Sequence, residues 1–374
     1  MKPVLTTADG RPQTAPVQKS TGAVHRDCDR ASLRLLVGTY ARNGGVGLHA
    51  LRPCEAGGWV VADTYSGAKN ASFGTYSARH DLFYFVDEQA DGALGAFRDT
   101  TRGWEQAGRV PTHGADPCYV ALNGDQSLLA VANYGSGSIA LYRIDEATGL
   151  PLEPAVTRRN AGSGPVADRQ DGPHAHCVCF SPDQRWLYHV DLGTDQVLAH
   201  ALDAASGSLG EQSIAYHAPS GSGPRHLLFH PVLPLAVLVS ELASTLTVLQ
   251  VEHGRLVERQ SISTLPPGFA GDSLGGHLAA DAAGERVYVT NRGHDSLAVF
   301  AWDATGRLEL LQHVPSGGAS PRCFVLLEAA RQLLLANEEG GTITAFGIGA
   351  DGTLSPLDTD IDLPGAAFLL VAPR

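Results

Sequence analysis

The chain of 374 residues is poor in features that mark several protein classes, with a single Met and only 18% charged residues. It contains no apolar run of about 18 residues, so we expect no transmembrane helix and no membrane partner. Neither GxxxxGK[ST], which cradles nucleotide phosphates, nor the zinc motif HExxH occurs in it. The six Cys lack CxxC spacing, which favours reduced thiols over a disulfide framework and predicts a cytoplasmic location.

Positive charge is scarce as well, since 27 Lys and Arg stand against 39 Asp and Glu and the formal net charge is −12. A protein this acidic repels phosphate backbones, which excludes a general nucleic-acid partner. Residues 1–32 are polar and lack the apolar stretch of a signal peptide. We interpret them as a poorly ordered extension that precedes a single domain at 33–374.

Turn residues are abundant, with 43 Gly and 22 Pro, and one pattern recurs along the chain. It consists of a short apolar strand, a turn, a second strand such as LLAVAN, a Gly/Asp/Ser hairpin and a third, alternating strand. Clear copies begin at Asp116, Pro173, Gly276 and Pro321, and weaker copies begin at Asn70 and Pro224. They lie about 45–55 residues apart, which is the length that a four-stranded propeller blade requires.

A seventh copy is divided between the two ends of the chain. The segment from Arg34 resembles the second and third strands of a repeat, and PGAAFLLVA from Pro364 resembles a first strand. Joining the ends completes one blade and removes the exposed edge of a linear array. Segments such as LPLEPAVTRR and GSLGEQSIAYHA can supply outer fourth strands. The sequence therefore predicts an all-β fold, a seven-bladed β-propeller of four-stranded blades, closed by N- and C-terminal strands that share one blade.

Cationic and imidazole side chains gather at the repeat starts, which ring the central channel of a propeller. The starts contain His174, His176, Arg225, His226, His277 and Arg322. The ends of the second strands add Asn133, Tyr134, Asp191, Glu241, Asn291, Arg292, Asn337 and Glu338. Because cations recur at equivalent positions of an acidic protein, we expect a small anionic ligand in the channel. Lys69, beside a repeat start, is the one obvious lysine for a phosphate.

Several of these residues also have structural interpretations. Asn and Asp at strand ends can tie the following hairpin. A buried Arg needs an anion or a carboxylate, and Glu241 can be a counter-ion alone. His174 and His176 alternate along a strand, so they are expected to face one side, either in catalytic roles or as part of the channel wall. Cys177 and Cys179 then face the other side, which argues against a zinc site, and we expect neither metal nor cofactor.

Four blocks resemble the seven-bladed lactonase family, which includes propeller-type 6-phosphogluconolactonases and the fungal carboxy-cis,cis-muconate cyclase. They are GPHAHCVCFSPDQRWLYHVDLGTDQV (172–197), GSGPRHLLFHP (221–231), VYVTNRGHDSLAVF (287–300) and GGASPRCF (317–324). The resemblance implies an active site of one His, one Glu and two Arg in the central cleft. By motif these are His174 or His176, Arg225, Glu241 and Arg292. The repeat pattern adds candidate substrate contacts, namely Arg322, His226, His277, Asn133 and Lys69.

The resemblance implies hydrolysis of a sugar lactone, with 6-phosphogluconolactone as the first substrate to test and the pentose phosphate pathway as its setting. Glu241 or a neutral His can activate water, while Arg225 and Arg292 bind the oxyanion or a substrate anion. Two alternatives stay open: a muconate-type cycloisomerase, and a non-catalytic propeller that binds sugar acids or a protein partner. We expect a monomer, as is the default for a closed ring.

Overall fold

The computed structural model describes residues 33–54, 58–358 and 361–372. The two ends of the chain share one blade, blade 7. Its second, third and outer strands are β1 (Arg34–Thr39), β2 (Leu48–Pro53) and β3 (Trp59–Tyr65), with a 3-10 turn at Ala41–Asn43. The last strand of the chain, β29 (Ala366–Ala372), is its innermost strand and pairs antiparallel with β1. The predicted sharing of one blade is confirmed, whereas the predicted extension at 1–32 lies outside the described residues.

Blades 1 to 3 are four-stranded antiparallel sheets of consecutive strands. Blade 1 comprises β4 (Gly74–Ser77), β5 (Leu82–Asp87), β6 (Ala93–Thr100) and β7 (Gly103–Pro111). Blade 2 comprises β8 (Pro117–Leu122), β9 (Leu128–Asn133), β10 (Ser138–Ile144) and β11 (Pro151–Arg159). Blade 3 comprises β12 (Ala175–Phe180), β13 (Trp186–Asp191), β14 (Gln196–Asp203) and β15 (Ser208–His217). β11 and β15 are the outer strands expected from the sequence.

Blades 4 to 6 repeat this arrangement. Blade 4 comprises β16 (Pro224–Phe229), β17 (Leu235–Ser240), β18 (Thr245–Glu252) and β19 (Arg255–Ser263). Blade 5 comprises β20 (Leu274–Ala280), β21 (Arg286–Arg292), β22 (Ser296–Trp302) and β23 (Leu308–Pro315). Blade 6 comprises β24 (Pro321–Leu327), a 3-10 turn (Glu328–Ala330), β25 (Gln332–Asn337) and β26 (Thr342–Ile348). Its outer strand differs from expectation because it is divided into β27 (Leu354–Pro356) and β28 (Ile361–Asp362).

The inner strands close a ring, because each contacts the next in the order β4, β8, β12, β16, β20, β24, β29 and β4 again. The seven-bladed propeller predicted from the repeats is confirmed. Between neighbouring blades the apolar faces pack together, as where Val237 and Val239 of blade 4 meet Val287 and Val289 of blade 5. Each such side chain is fully buried and contributes about 1.5–3 kcal/mol of apolar burial. The resulting ring is a rigid support for side chains that face the channel.

Two histidines of blade 3 are buried, and Nε2 of one of them, His189, lies 3.9 Å from Asp191 Oδ2. His189 on β13 and His200 on β14 have 0% exposure, and their ring centroids are 6.3 Å apart. None of their ring nitrogens has a hydrogen-bond partner among the described residues. Burial lowers the pKa of each ring to about 3. Because a histidine in the unfolded chain titrates near pH 6.5, only the unfolded state takes up these two protons as the pH falls below that value.

We therefore expect the stabilisation that comes from keeping these two rings neutral to be fully present above about pH 6.5. It should be lost as the pH falls towards the pKa values of the folded state. Each ring should lower the free energy of unfolding by about 1.4 kcal/mol per pH unit in this window. His200→Leu removes one of the two protonation sites and should reduce the slope accordingly. Denaturant unfolding at pH 7, 6 and 5 measures this effect, with the exposed His217→Gln as the control. Equal slopes in the wild type and His200→Leu would contradict the expectation.

Candidate active site

The inner strands carry β-bulges at the same place in six blades, where the register with the second strand shifts. In five of them a single residue is unpaired at the shift: Cys118 in blade 2, His176 in blade 3, Arg225 in blade 4, Arg322 in blade 6 and Ala367 in blade 7. A bulge re-aims the side chain of the extra residue and is common next to active sites. In each of these five blades the bulge therefore sets the direction of one side chain.

One residue at the end of each second strand, or directly after it, is here called the exit position. In six blades its backbone N–H donates to a carbonyl in the connection that leads into the inner strand. The seven exit residues, in blade order from blade 1, are Glu88, Tyr134, Leu192, Glu241, Arg292, Glu338 and Tyr40. In three blades the exit residue is bonded to a residue 16 positions earlier, giving Ser72–Glu88, Arg225–Glu241 and Arg322–Glu338. The repeat thus builds three polar pairs around one channel.

Glu241 is the centre of the largest charge cluster, and its side chain is 2% exposed. Its Oε2 atom lies 3.0 Å from Arg225 Nε and 2.6 Å from Arg292 Nη2. Its Oε1 atom lies 2.5 Å from Arg169 Nη2. His176 Nε2 stands 3.7 Å from Oε2. Three guanidiniums and one imidazole, from four different segments of the chain, therefore converge on a single carboxylate.

The protonation states in this cluster follow from burial and charge. Burial opposes ionisation of Glu241, but Arg292 and Arg225, with His176 and Arg169, hold the pKa of its carboxyl well below its usual range. Burial, and then the charge of Arg225, lowers the pKa of His176 well below 6.5, so this ring is neutral at neutral pH. Three arginines against one glutamate leave an excess of two positive charges, which stabilises an anion or a developing oxyanion.

A second cluster lies beside the first, around Arg322. Its Nη1 is 3.2 Å from Glu338 Oε2, and its Nη2 donates to the Tyr40 hydroxyl at 2.6 Å. Arg42 binds Glu338 Oε1 at 2.9 Å and stacks over the Tyr40 ring, with its guanidinium carbon 3.9 Å from the centroid. Tyr40 in turn donates to Glu88 Oε2 at 2.6 Å. The charges of two arginines and two glutamates cancel in this second cluster. The excess of positive charge therefore lies in the Glu241 cluster.

Aromatic and imidazole rings fill the channel one residue further along the inner strands. Phe73 lies 4.1 Å from Tyr119 and 4.7 Å from Phe368 between ring centroids. His226 lies 5.1 Å from Tyr119 and 5.5 Å from His277. Phe73 and His226 come from blades three apart, yet their rings are only 6.2 Å from each other. Because these contacts cross the channel, the rings form a packed layer, here called the ring floor, that lies against Arg225.

This fold agrees with known proteins. The sequence matches the family model described as "Lactonase, 7-bladed beta-propeller" over residues 34–371. The chain belongs to this lactonase family. The 6-phosphogluconolactonase of Bacillus subtilis (strain 168) is 30% identical over 338 residues, which are 88% of this chain and 95% of the relative.

Solved structures share this fold. A Lactobacillus plantarum protein has a TM-score of 0.84 at 29% identity, covering 91% of this chain and 99% of its own. The periplasmic gluconolactonase of Pseudomonas aeruginosa has a TM-score of 0.83 at 29% identity, covering 91% of this chain and 98% of its own. Coverage is nearly complete in both cases, so the whole propeller is shared.

The structure brings four of the residues expected from the motifs into one cluster: His176, Arg225, Glu241 and Arg292. Arg322 lies in the neighbouring cluster. His226 and His277 belong to the ring floor, with His226 Nε2 3.1 Å from Arg225 Nη1. Burial, and for both rings the charge of Arg225, lowers the pKa of His226 well below 6.5 and that of His277 to about 3. His226 therefore contacts Arg225 directly, and His277 packs against His226.

His174 differs from the expectation that it faces the same side as His176. It precedes β12, and the bulge at His176 breaks the simple alternation between the two residues. The His174 ring stacks on Tyr134 with centroids 4.5 Å apart, and its Nε2 lies 3.1 Å from Asp171 Oδ1. The structure therefore places His176, and not His174, against Glu241.

Two further candidates lie elsewhere in the structure. Asn133 has 0% exposure, and its Nδ2 lies 3.3 Å from Ser138 Oγ across the following hairpin and donates to the Thr112 carbonyl at 2.9 Å, so it ties these segments together. Lys69 is exposed and borders a surface cleft together with Asp87 and Arg109. Neither side chain joins the two charge clusters, because a position near a repeat start does not by itself orient a side chain into the channel.

Sequence reasoning missed four residues of the two clusters: Tyr40, Arg42, Glu88 and Arg169. Tyr40 and Glu88 occupy exit positions, so aligning the ends of the second strands would have found both. Arg42 and Arg169 lie in connections outside the repeat, where no periodic signal exists. Among the described residues, no group of three or more His, Cys, Asp and Glu is placed to hold a metal ion. In the same part of the chain, no helix is long and apolar enough to cross a membrane.

Proposed function

We propose that this lactonase hydrolyses a sugar lactone, with 6-phosphogluconolactone as its substrate. The observation that carries the proposal is the buried Glu241 carboxylate, which three guanidiniums and a neutral imidazole surround in the channel. The name of the Bacillus subtilis relative supports the phosphorylated substrate. Cytoplasmic location and the monomeric state stay predictions, and the related Pseudomonas aeruginosa gluconolactonase is named as periplasmic.

The chemistry of lactone opening assigns roles to four groups of the Glu241 cluster. Water attacks the carbonyl carbon while Glu241 takes its proton. The carbonyl oxygen becomes an oxyanion, which Arg225 and Arg292 stabilise because their charges already lie in the site before reaction. Arg292 Nε, which is buried and has no hydrogen-bond partner in the described part of the chain, supplies one donor. Collapse breaks the bond to the ring oxygen, and His176 delivers the proton from Glu241 to that oxygen.

The second cluster fits the rest of a sugar substrate. Arg322, Tyr40 and Glu338 present both donors and acceptors, and their charges cancel with those of Arg42 and Glu88. Such a surface suits hydroxyl groups, which both donate and accept hydrogen bonds. The balance of charge therefore favours a sugar lactone.

The test is a hydrolysis assay on freshly generated 6-phosphogluconolactone, with spontaneous opening subtracted. We expect enzyme-dependent turnover that falls by about 10²–10³-fold in Arg225→Ala, because one oxyanion donor is lost. Arg159→Ala is the matched control, since Arg159 is an exposed arginine at the end of β11. No acceleration by the wild-type protein would reject the phosphorylated substrate and move the assay to unphosphorylated lactones and muconate-type dicarboxylates.

A further inference from the structure

Arg169 comes from the longest connection between an outer strand and the next inner strand in blades 1 to 6. This connection spans 160–174, between β11 and β12. The corresponding connections are 112–116, 218–223, 264–273 and 316–320, with 66–73 leading into blade 1. The insertion therefore adds a segment over the channel mouth that the repeat itself does not supply, and one of its side chains reaches Glu241.

The base of this loop is held firmly. Gln170 has 0% exposure, and its Nε2 donates to the Leu192 carbonyl and to Asp195 Oδ1, each at 2.8 Å. Asp195 also accepts the backbone N–H groups of Gly221 at 2.7 Å and Gly223 at 2.8 Å. The same carboxylate thus joins the loop to the segment that leads into blade 4. The Arg169 backbone is therefore held in place by its neighbour Gln170, while the Arg169 side chain extends from this fixed point to Glu241.

Arg169 is the one solvent-accessible cation of the Glu241 cluster. Its side chain is 32% exposed, against 3% for Arg225 and 13% for Arg292. It covers Oε1 of Glu241, whereas the two buried arginines hold Oε2. Its other contact is a longer one, 3.4 Å to the Tyr134 hydroxyl. Water screens an exposed ion pair, so Arg169 is the arginine that exchanges partners at the lowest free-energy cost.

We propose that Arg169 is a specificity residue that binds the charged group of the substrate remote from the lactone carbonyl, a phosphate or a carboxylate. Pairing with that anion draws the guanidinium away from Oε1 of Glu241. The freed oxygen can then take the proton of the attacking water. This inference rests on the proposed lactone hydrolysis and adds to it a coupling between recognition of charge and activation of the base.

The coupling predicts opposite effects on two substrates. Arg169→Ala should lower kcat/KM for 6-phosphogluconolactone by about 30-fold, because a charge-assisted contact to the phosphate is lost. The same change should raise kcat/KM for unphosphorylated gluconolactone by about threefold, because Glu241 loses one covering cation and becomes a stronger base. Arg169→Lys keeps the charge without the planar fork and should lie between the wild type and Arg169→Ala for both substrates. Arg159→Ala should alter neither value by more than about twofold.

A binding experiment separates this inference from the hydrolysis itself. Calorimetric titration with the two product acids, 6-phosphogluconate and gluconate, requires no turnover. The wild type should bind the phosphorylated acid more tightly by about 30-fold, and Arg169→Ala should lose this preference. An equal drop in kcat/KM for both lactones, or a wild type without preference between the acids, would overturn the role of Arg169. Absence of hydrolysis with the preference intact would reject the proposed reaction alone.

Discussion

Glu241→Gln is expected to lower kcat/KM for lactone hydrolysis by at least about 10³-fold. The amide cannot take a proton from water, and general base catalysis is worth about 10²–10⁴-fold. The steric change is small, so the loss reports the chemistry of the carboxylate and not a change of shape. Steady-state kinetics on the lactone measure it, with the exposed Glu252→Gln of the same blade as the control. Retention of full activity in Glu241→Gln would reject Glu241 as the base.

The same substitution should also destabilise the protein, by about 3–5 kcal/mol, because it leaves buried guanidiniums without their counter-ion. Arg225, Arg292 and Arg169 all contact the Glu241 carboxylate and no longer have it as a partner. Inorganic phosphate should therefore raise the midpoint of thermal unfolding more in Glu241→Gln than in the wild type, since an anion can take the place of the carboxylate. Scans with and without phosphate test this, and an equal phosphate effect in both proteins would contradict it.

His176→Asn should lower kcat/KM by about 10²–10³-fold, while His174→Asn should lower it by less than about fivefold. His176 Nε2 is 3.7 Å from Glu241 Oε2, within reach of the proton that must travel to the leaving oxygen. His174 instead contacts Asp171, whose side chain is 78% exposed, at the edge of the site. The two residues lie in one sequence motif, so each variant is a close control for the other.

Kinetics of both variants against pH provide the measurement. The pKa of His176 is held well below 6.5 by burial and by Arg225, so the wild type should keep its activity through neutral pH and lose it in acid as this ring protonates. His176→Asn should lack that loss in acid, whereas His174→Asn should retain it. A larger loss of activity in His174→Asn than in His176→Asn would reverse the assignment made from the structure.

The ring of blades could be predicted because its signals are local. Alternation within strands such as β10 and β22, and turn residues at regular intervals, repeat in every blade and need no knowledge of distant contacts. Even the shared blade followed from the incomplete repeats at the two ends. The division of the outer strand in blade 6 did not follow, because an outer strand is bonded on one side only and a break there leaves the repeat pattern of the inner strands unchanged.

The sequence by itself determined the seven-bladed architecture and the chemical types in the channel, with Arg225, Arg292 and Glu241 at the ends of strands. Only the tertiary structure decided which histidine meets Glu241, because a bulge of one residue reverses the direction of a side chain and no pattern in the sequence marks it. Only the tertiary structure brought Arg169 to the same carboxylate, because its loop has no register with any strand. The site depends on distances between blades, which are properties of the closed ring and not of any single repeat.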